Sequence, residues 1–132
     1  MMSPSTDSGE KDDGSKGQLK NMSYAFAVRT VNMVRYLQEE KKECVLSKQV
    51  LRSGTAIGAL VREAEYAQSP ADFVHKLSIS LKEANETDYW LSLLHDTKYL
   101  SDEAYNSMRD DNAHIMAMLV ASVKTLKRKL AK

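Results

Sequence analysis

With 132 residues, 42% of them hydrophobic and 28% charged, the chain has the length and composition of one soluble globular domain and is too short for two comfortable cores. A formal net charge of +1 excludes a global attraction to nucleic acid or to a membrane, so either would need a local patch. The lone Cys44 excludes an internal disulfide and a cysteine metal cluster and fits a reducing, cytoplasmic setting, and the longest unbroken apolar run, Ile115 to Ala121, is far below the ~20 residues that cross a bilayer.

Residues 1–21 are expected to form a disordered tail, because Ser, Gly, Asp and Lys dominate there and little could be buried to offset the entropy of ordering. The pattern changes at Met22. From Tyr24 to Glu39, Phe26, Met33 and Leu37 recur beside Ala27, Val31 and Val34 and predict a first helix. The charged run Glu39 to Glu43 reads as a solvated connection. Ser47 is the expected cap of a second helix, with Leu46 and Leu51 placed as a hydrophobic staple. That helix carries the most informative pattern in the chain. Val50, Gly54, Ile57, Val61 and Ala64 share one narrow face, and its two glycines, Gly54 and Gly58, each cost about 1 kcal/mol relative to Ala, which makes sense where another backbone comes close.

The second helix is expected to stop near Gln68, where Ser69, Pro70 and Asp72 form a cap, a first helical residue and a shortened capping box. A third helix then runs through Phe73, Leu77, Leu81, Ala84, Leu91 and Leu94 without Gly or Pro. After a turn near Asp96 to Leu100, Ser101 caps a fourth helix. Asp102 and Glu103 suit its positive end, and Met108, Ile115, Leu119, Val123, Leu126 and Leu130 line its apolar face. The expectation is all-α: an up-down-up-down antiparallel four-helix bundle over residues 22–132.

Three blocks then carry a family resemblance: SKQVLRSGTAIGALVREA from Ser47, ADFVHKLSISLKEANETDYWLSLL from Ala71, and VKTLKRKL from Val123. Residues 24–132 resemble the bacterial four-helix bundle proteins related to those encoded by the intervening sequence of 23S ribosomal RNA genes, the S23-like proteins. The resemblance implies a bundle that assembles with itself as a ring, a homopentamer, without enzymatic activity. A more distant relative, the accessory protein of diversity-generating retroelements, is similar in bundle and ring and binds nucleic acid and a reverse transcriptase; those proteins are strongly basic, whereas this chain is near neutral.

No catalytic constellation and no cofactor motif emerges from the residues. Asp72 with His75, and Asp111 with His114, have the carboxylate-x-x-His spacing of di-iron bundles, but antiparallel pairing of helices 3 and 4 separates the two by roughly 22 Å, whereas two metals in one site lie about 4 Å apart. No metal site is expected. His95 is expected to interact with the last carbonyls of helix 3. Tyr36, Tyr66, Tyr89, Trp90 and Tyr99 exceed what one small core needs and suit an interface. Two basic groups are candidates for holding the phosphates of RNA or DNA: Lys48, Arg52 and Arg62 on helix 2, and Lys124, Lys127, Arg128 and Lys129 at the C-terminus. Each has a plainer reading, an inter-helix ion pair for Arg52 and helix-dipole complementarity for the terminal cluster. The alternative function is an oligomeric scaffold for another protein.

Overall fold

The computed structural model describes residues 14–131. Four helices account for nearly all of them: α1 (Gly14–Glu39), α2 (Leu46–Ala64), α3 (Pro70–Asp96) and α4 (Asp102–Leu130). Each packs against its neighbours in sequence, and α1 closes the square on α4, with no close backbone approach across either diagonal among the described residues. This is the expected up-down-up-down bundle, and no strand occurs among the described residues.

The packing face of α2 lies where its spacing put it. Val50, Gly54, Ile57, Val61 and Ala64 are all buried. A Cβ at Gly54 would lie 2.8 Å from Thr30 Cγ2 of α1, and one at Gly58 would lie 3.1 Å from the backbone oxygen of Ser23. Both glycines therefore make room for α1. The hydroxyls that enter this close seam are satisfied locally: Thr30 Oγ1 donates to the Phe26 carbonyl at 2.8 Å and Ser23 Oγ to that of Lys20 at 3.2 Å. Across the next seam, Thr87 Oγ1 donates to the Glu83 carbonyl at 2.8 Å and shares a hydrogen bond with Ser53 Oγ at 2.8 Å, and Ser80 Oγ donates to the Ile57 carbonyl at 2.9 Å. Asn112 of α4 donates from Nδ2 to the Ala84 carbonyl of α3 at 2.9 Å. Small polar side chains thus let three successive helix pairs approach closely without leaving those donors bare.

Several boundaries differ from the expectations. Residues 1–13 of the expected tail lie outside the described residues, but residues 14–21 already belong to α1. Leu19 is buried, continuing the row Ser23, Phe26, Thr30, Val34 and Leu37 one turn upstream, and Lys20 Nζ meets Glu65 Oε2 at 3.3 Å. Val31 is exposed, because it falls to the side of that row, and Leu130 is exposed beyond the last buried turn of α4. Helix α2 ends at Ala64, four residues before Gln68, by tightening into bonds from Tyr66 N to the Glu63 carbonyl and from Ala67 N to that of Ala64. Trp90 and Tyr99 pack against the core instead of standing free, whereas Tyr36, Tyr66 and Tyr89 are exposed.

The start of α2 is the largest correction. Ser47 does not cap it; Ser47 is buried inside the helix and donates to the Glu43 carbonyl at 2.9 Å. Glu43, read from the sequence as part of a solvated run, is itself buried. Its carboxylate accepts the backbone N–H groups of Val45, Leu46 and Ser47 at 3.1, 2.8 and 2.7 Å. A carboxylate gathering the first free donors of a helix satisfies both their hydrogen bonding and the positive end of the dipole. Lys42, with φ 58°, turns the chain to place it there. The other two expected caps are present, with Ser69 Oγ accepting from Asp72 N and Ser101 Oγ from Ala104 N, both at 3.1 Å.

Two stability outcomes follow from these contacts. Glu43→Ala leaves three helix-end donors without their acceptor and is expected to lower unfolding free energy by about 2–3 kcal/mol in urea titrations, while Ser47→Ala costs less. Gly54→Val overfills the α1–α2 seam and is expected to cost ~2–3 kcal/mol, part of which returns in a Thr30→Ala background; equal costs in both backgrounds would contradict a direct steric conflict with Thr30.

Candidate nucleic-acid interface

On the outward side of α2, Lys48, Arg52 and Arg62 are exposed. They do not form one patch. Arg52 is gripped by α3: its Nη1 donates to Glu83 Oε1 at 3.1 Å and its Nη2 to Glu86 Oε2. Glu86 also accepts the Trp90 indole N–H at 2.9 Å, and the Trp90 bond first and Arg52 second hold its carboxyl below the ordinary range. The bond from Glu86 is the main reason the Arg52 guanidinium is pushed above its usual value. The ion pair anticipated as the plainer reading of Arg52 is therefore present. Exposed pairs of this kind contribute about 1 kcal/mol or less each, so they orient Arg52 more than they stabilise the fold.

Lys48 lies near the start of α2 and Arg62 near its end, roughly 21 Å away at 1.5 Å per residue. Arg62 shares its end of the bundle with Lys124, Lys127, Arg128 and Lys129, since α2 and α4 run the same way. Those helices are diagonal, so the two basic groups occupy opposite sides of that end. All five side chains are exposed, and none makes an ion pair among the described residues. Nearby acids are already engaged. Glu63 meets Lys76 at 3.3 Å, Glu65 meets Lys20, and Asp72 Oδ2 accepts the Gln68 N–H at 3.2 Å. One end of the bundle is left with unpaired positive charge, which sequence numbering alone does not reveal.

At the other end a groove of about 990 Å³ opens between α1 and α4, lined by Arg29, Met33, Tyr36, His95, Asp102 and Met108 among others. Arg29 bridges it, donating to Asp111 Oδ2 at 2.6 Å and to Ser107 Oγ at 2.8 Å. Asp72 and Asp111, the carboxylates of the two carboxylate-x-x-His pairs, thus hold a helix start and an inter-helix bridge. No group of three or more His, Cys, Asp or Glu side chains among the described residues is arranged to hold a metal ion.

His95 departs from its expected role. Its Nε2 meets Asp102 at 2.6 Å, its Nδ1 meets Asp96 at 3.1 Å, and its ring stacks on Tyr105 at 4.4 Å. The carbonyls at the end of α3 are taken by the backbone instead: Lys98, with φ 74°, turns the chain so that Lys98 N reaches the His95 carbonyl and Tyr99 N that of Leu94. Carboxylates on both ring nitrogens favour the imidazolium, which donates to both and fastens the α3–α4 turn. Hydrogen bonding to Asp102, then to Asp96, raises its pKa above the ordinary imidazole value. Since the folded state favours the protonated ring, this contribution is complete below the unfolded pKa of about 6.5 and disappears as pH rises through the higher folded value. Asp102→Asn is expected to lower the His95 titration midpoint in NMR and to flatten stability against pH in that window; an unchanged midpoint would rule out Asp102 as the main cause.

Comparison with known proteins places these features in a family. No functionally curated protein matches the chain. A crystal structure of a protein with unknown function from the S23 ribosomal protein family of Bacteroides thetaiotaomicron VPI-5482 is similar, at 53% identity over 83% of this chain and 98% of that one, with a TM-score of 0.82. The family described as 23S rRNA-intervening sequence protein matches residues 16–121, which include the glycine face of α2 and the whole of α3. With four-fifths of its length matched in sequence and its four-helix architecture shared, this chain belongs to the 23S rRNA-intervening sequence protein family.

Proposed function

We propose that this protein is a non-enzymatic, cytoplasmic four-helix bundle protein that forms a homo-oligomeric ring and binds RNA or DNA through phosphate contacts repeated around that ring. The observation that carries the reading is the unpaired positive charge at one end of the bundle, Arg62 with Lys124, Lys127, Arg128 and Lys129, where Glu63 and Glu65 are occupied by other lysines. One subunit with a net charge of +1 holds phosphate weakly, and several copies on a common axis turn weak contacts into a measurable avidity. Helix-dipole complementarity accounts for Arg62 in the last turn of α2 and for Lys127, Arg128 and Lys129 in the last turn of α4, but not for Lys124, which lies before that turn.

Self-association is supported by apolar surface that the bundle leaves uncovered. Tyr24, Val28 and Val31 form an exposed row on α1, and Tyr36, Tyr66 and Tyr89 are exposed elsewhere. Five subunits is the number implied by family resemblance. A scaffold for another protein is the second reading, favoured by the same aromatic surface and separated from the first by salt: phosphate contacts weaken steeply as salt rises, and apolar interfaces do not.

Light scattering at micromolar concentration is expected to report an oligomer, and the intact oligomer to bind RNA or DNA at low salt. Replacing Lys127, Arg128 and Lys129 with Glu is expected to weaken binding at least tenfold and to flatten its salt dependence while the ring persists. A clean monomer would remove the ring, and equal binding by the substituted oligomer would favour the protein scaffold.

A further inference from the structure

The outward face of α4 has an order of charge that neither its core packing nor its basic end explains. Glu103, Asn106, Asp110, Ala113, Ala117, Val120, Lys124 and Lys127 alternate three and four residues apart, so they form one continuous seam along the helix. All are exposed. The seam is acidic in its first third, uncharged and small or apolar in the middle, and basic in its last third. Neither Glu103, Asp110, Lys124 nor Lys127 is ion-paired among the described residues; the α4 acids that are engaged, Asp102 and Asp111, meet His95 and Arg29. Helix-dipole complementarity acts within the first and last turns, and Asp110 and Lys124 lie beyond them.

We propose that this seam is a docking surface for a second copy of the same chain, with two α4 helices packed antiparallel about a two-fold axis at Ala117. Charge complementarity selects that occupant. In this register Asp110 of each copy faces Lys124 of the other, twice by symmetry, Glu103 lies within a turn of Arg128, and Ala113 and Val120 meet across the axis. The alanines permit the helix axes to approach to about 8 Å. A parallel pairing would set acid against acid and base against base, which is the arrangement the seam disfavours. The contact is isologous, whereas a ring closes through heterologous contacts, so the inference stands apart from the ring reading; it engages Lys124 and leaves Arg62 and Lys129 outside the contact for phosphate. Where both contacts form, two rings join and the mass doubles.

Charge reversal tests the register. Asp110→Lys alone and Lys124→Asp alone each place like charges opposite one another and are expected to weaken the pairing at least tenfold, seen as a fall in mass by light scattering. The double variant Asp110→Lys/Lys124→Asp restores opposite charges and is expected to recover the mass. In a Cys44→Ser background, Ala117→Cys is expected to give a disulfide-linked dimer under mild oxidation. Asn106→Cys is not, since its counterpart in the second copy would lie more than about 30 Å away. Circular dichroism confirms that these exposed substitutions leave the helices intact. An oligomer whose mass ignores the single reversals and whose Ala117→Cys variant does not cross-link overturns the α4 pairing while leaving a ring in place. A wild-type monomer without the cross-link overturns both.

Discussion

The close approach of α1 to α2 at Gly54 and Gly58 sets the dimensions of the bundle. A methyl group at either position would press on Thr30 or on the backbone of Ser23, so the distance between these helices is governed by what α2 lacks as much as by what it carries. Once α1 and α2 are this close, larger side chains such as Phe26 and Ile57 can be buried fully at the levels between the glycines. Ser53, Ser80, Thr87 and Asn112 continue the same solution around α3 and α4. Each has a hydrogen-bond partner in its seam, which avoids the penalty of a bare buried donor, while Asn112 Oδ1 alone among the described buried side-chain nitrogen and oxygen atoms lacks one.

The turns depend on a different principle. Two lysines with positive φ, Lys42 and Lys98, end α1 and α3 where glycine is commoner, and each turn adds a side-chain clasp. In the first, the Glu43 carboxylate gathers three backbone donors; in the second, His95 lies between Asp96 and Asp102 against Tyr105. Both clasps are at the same end of the bundle, together with the groove bridged by Arg29. The opposite end has a capped start at Ser69 and a surplus of cations. The two ends therefore differ: one is held by carboxylate clasps at its turns, and the other carries the exposed cations that close α4.

The proposed action of the protein rests on its surfaces. The core is filled by the side chains of four helices, and His95 ties the α3–α4 turn through carboxylates on both ring nitrogens. What distinguishes one face from another is charge order and uncovered aromatic surface, features that act through binding geometry and repetition.

The periodicity of the sequence by itself determined the number of helices, their antiparallel course, the packing face of α2, and the caps at Ser69 and Ser101. These are local or period-based properties, in which neighbouring residues carry the signal. Leu19 escaped because one buried leucine among Gly, Gln and Lys has no local pattern, although it extends the face of α1. Glu43 escaped because a charged run reads as solvated until the fold brings its carboxylate under the start of α2. Of the candidate phosphate-binding residues, the sequence identified each cation but could not say which were free. Only the tertiary structure decided that Arg52 is held between Glu83 and Glu86, that Arg62 and the α4 cluster share an end on opposite sides, and that Lys48 lies far from both. The physical reason is that charge pairing depends on which helices become neighbours, and that neighbourhood is established by packing.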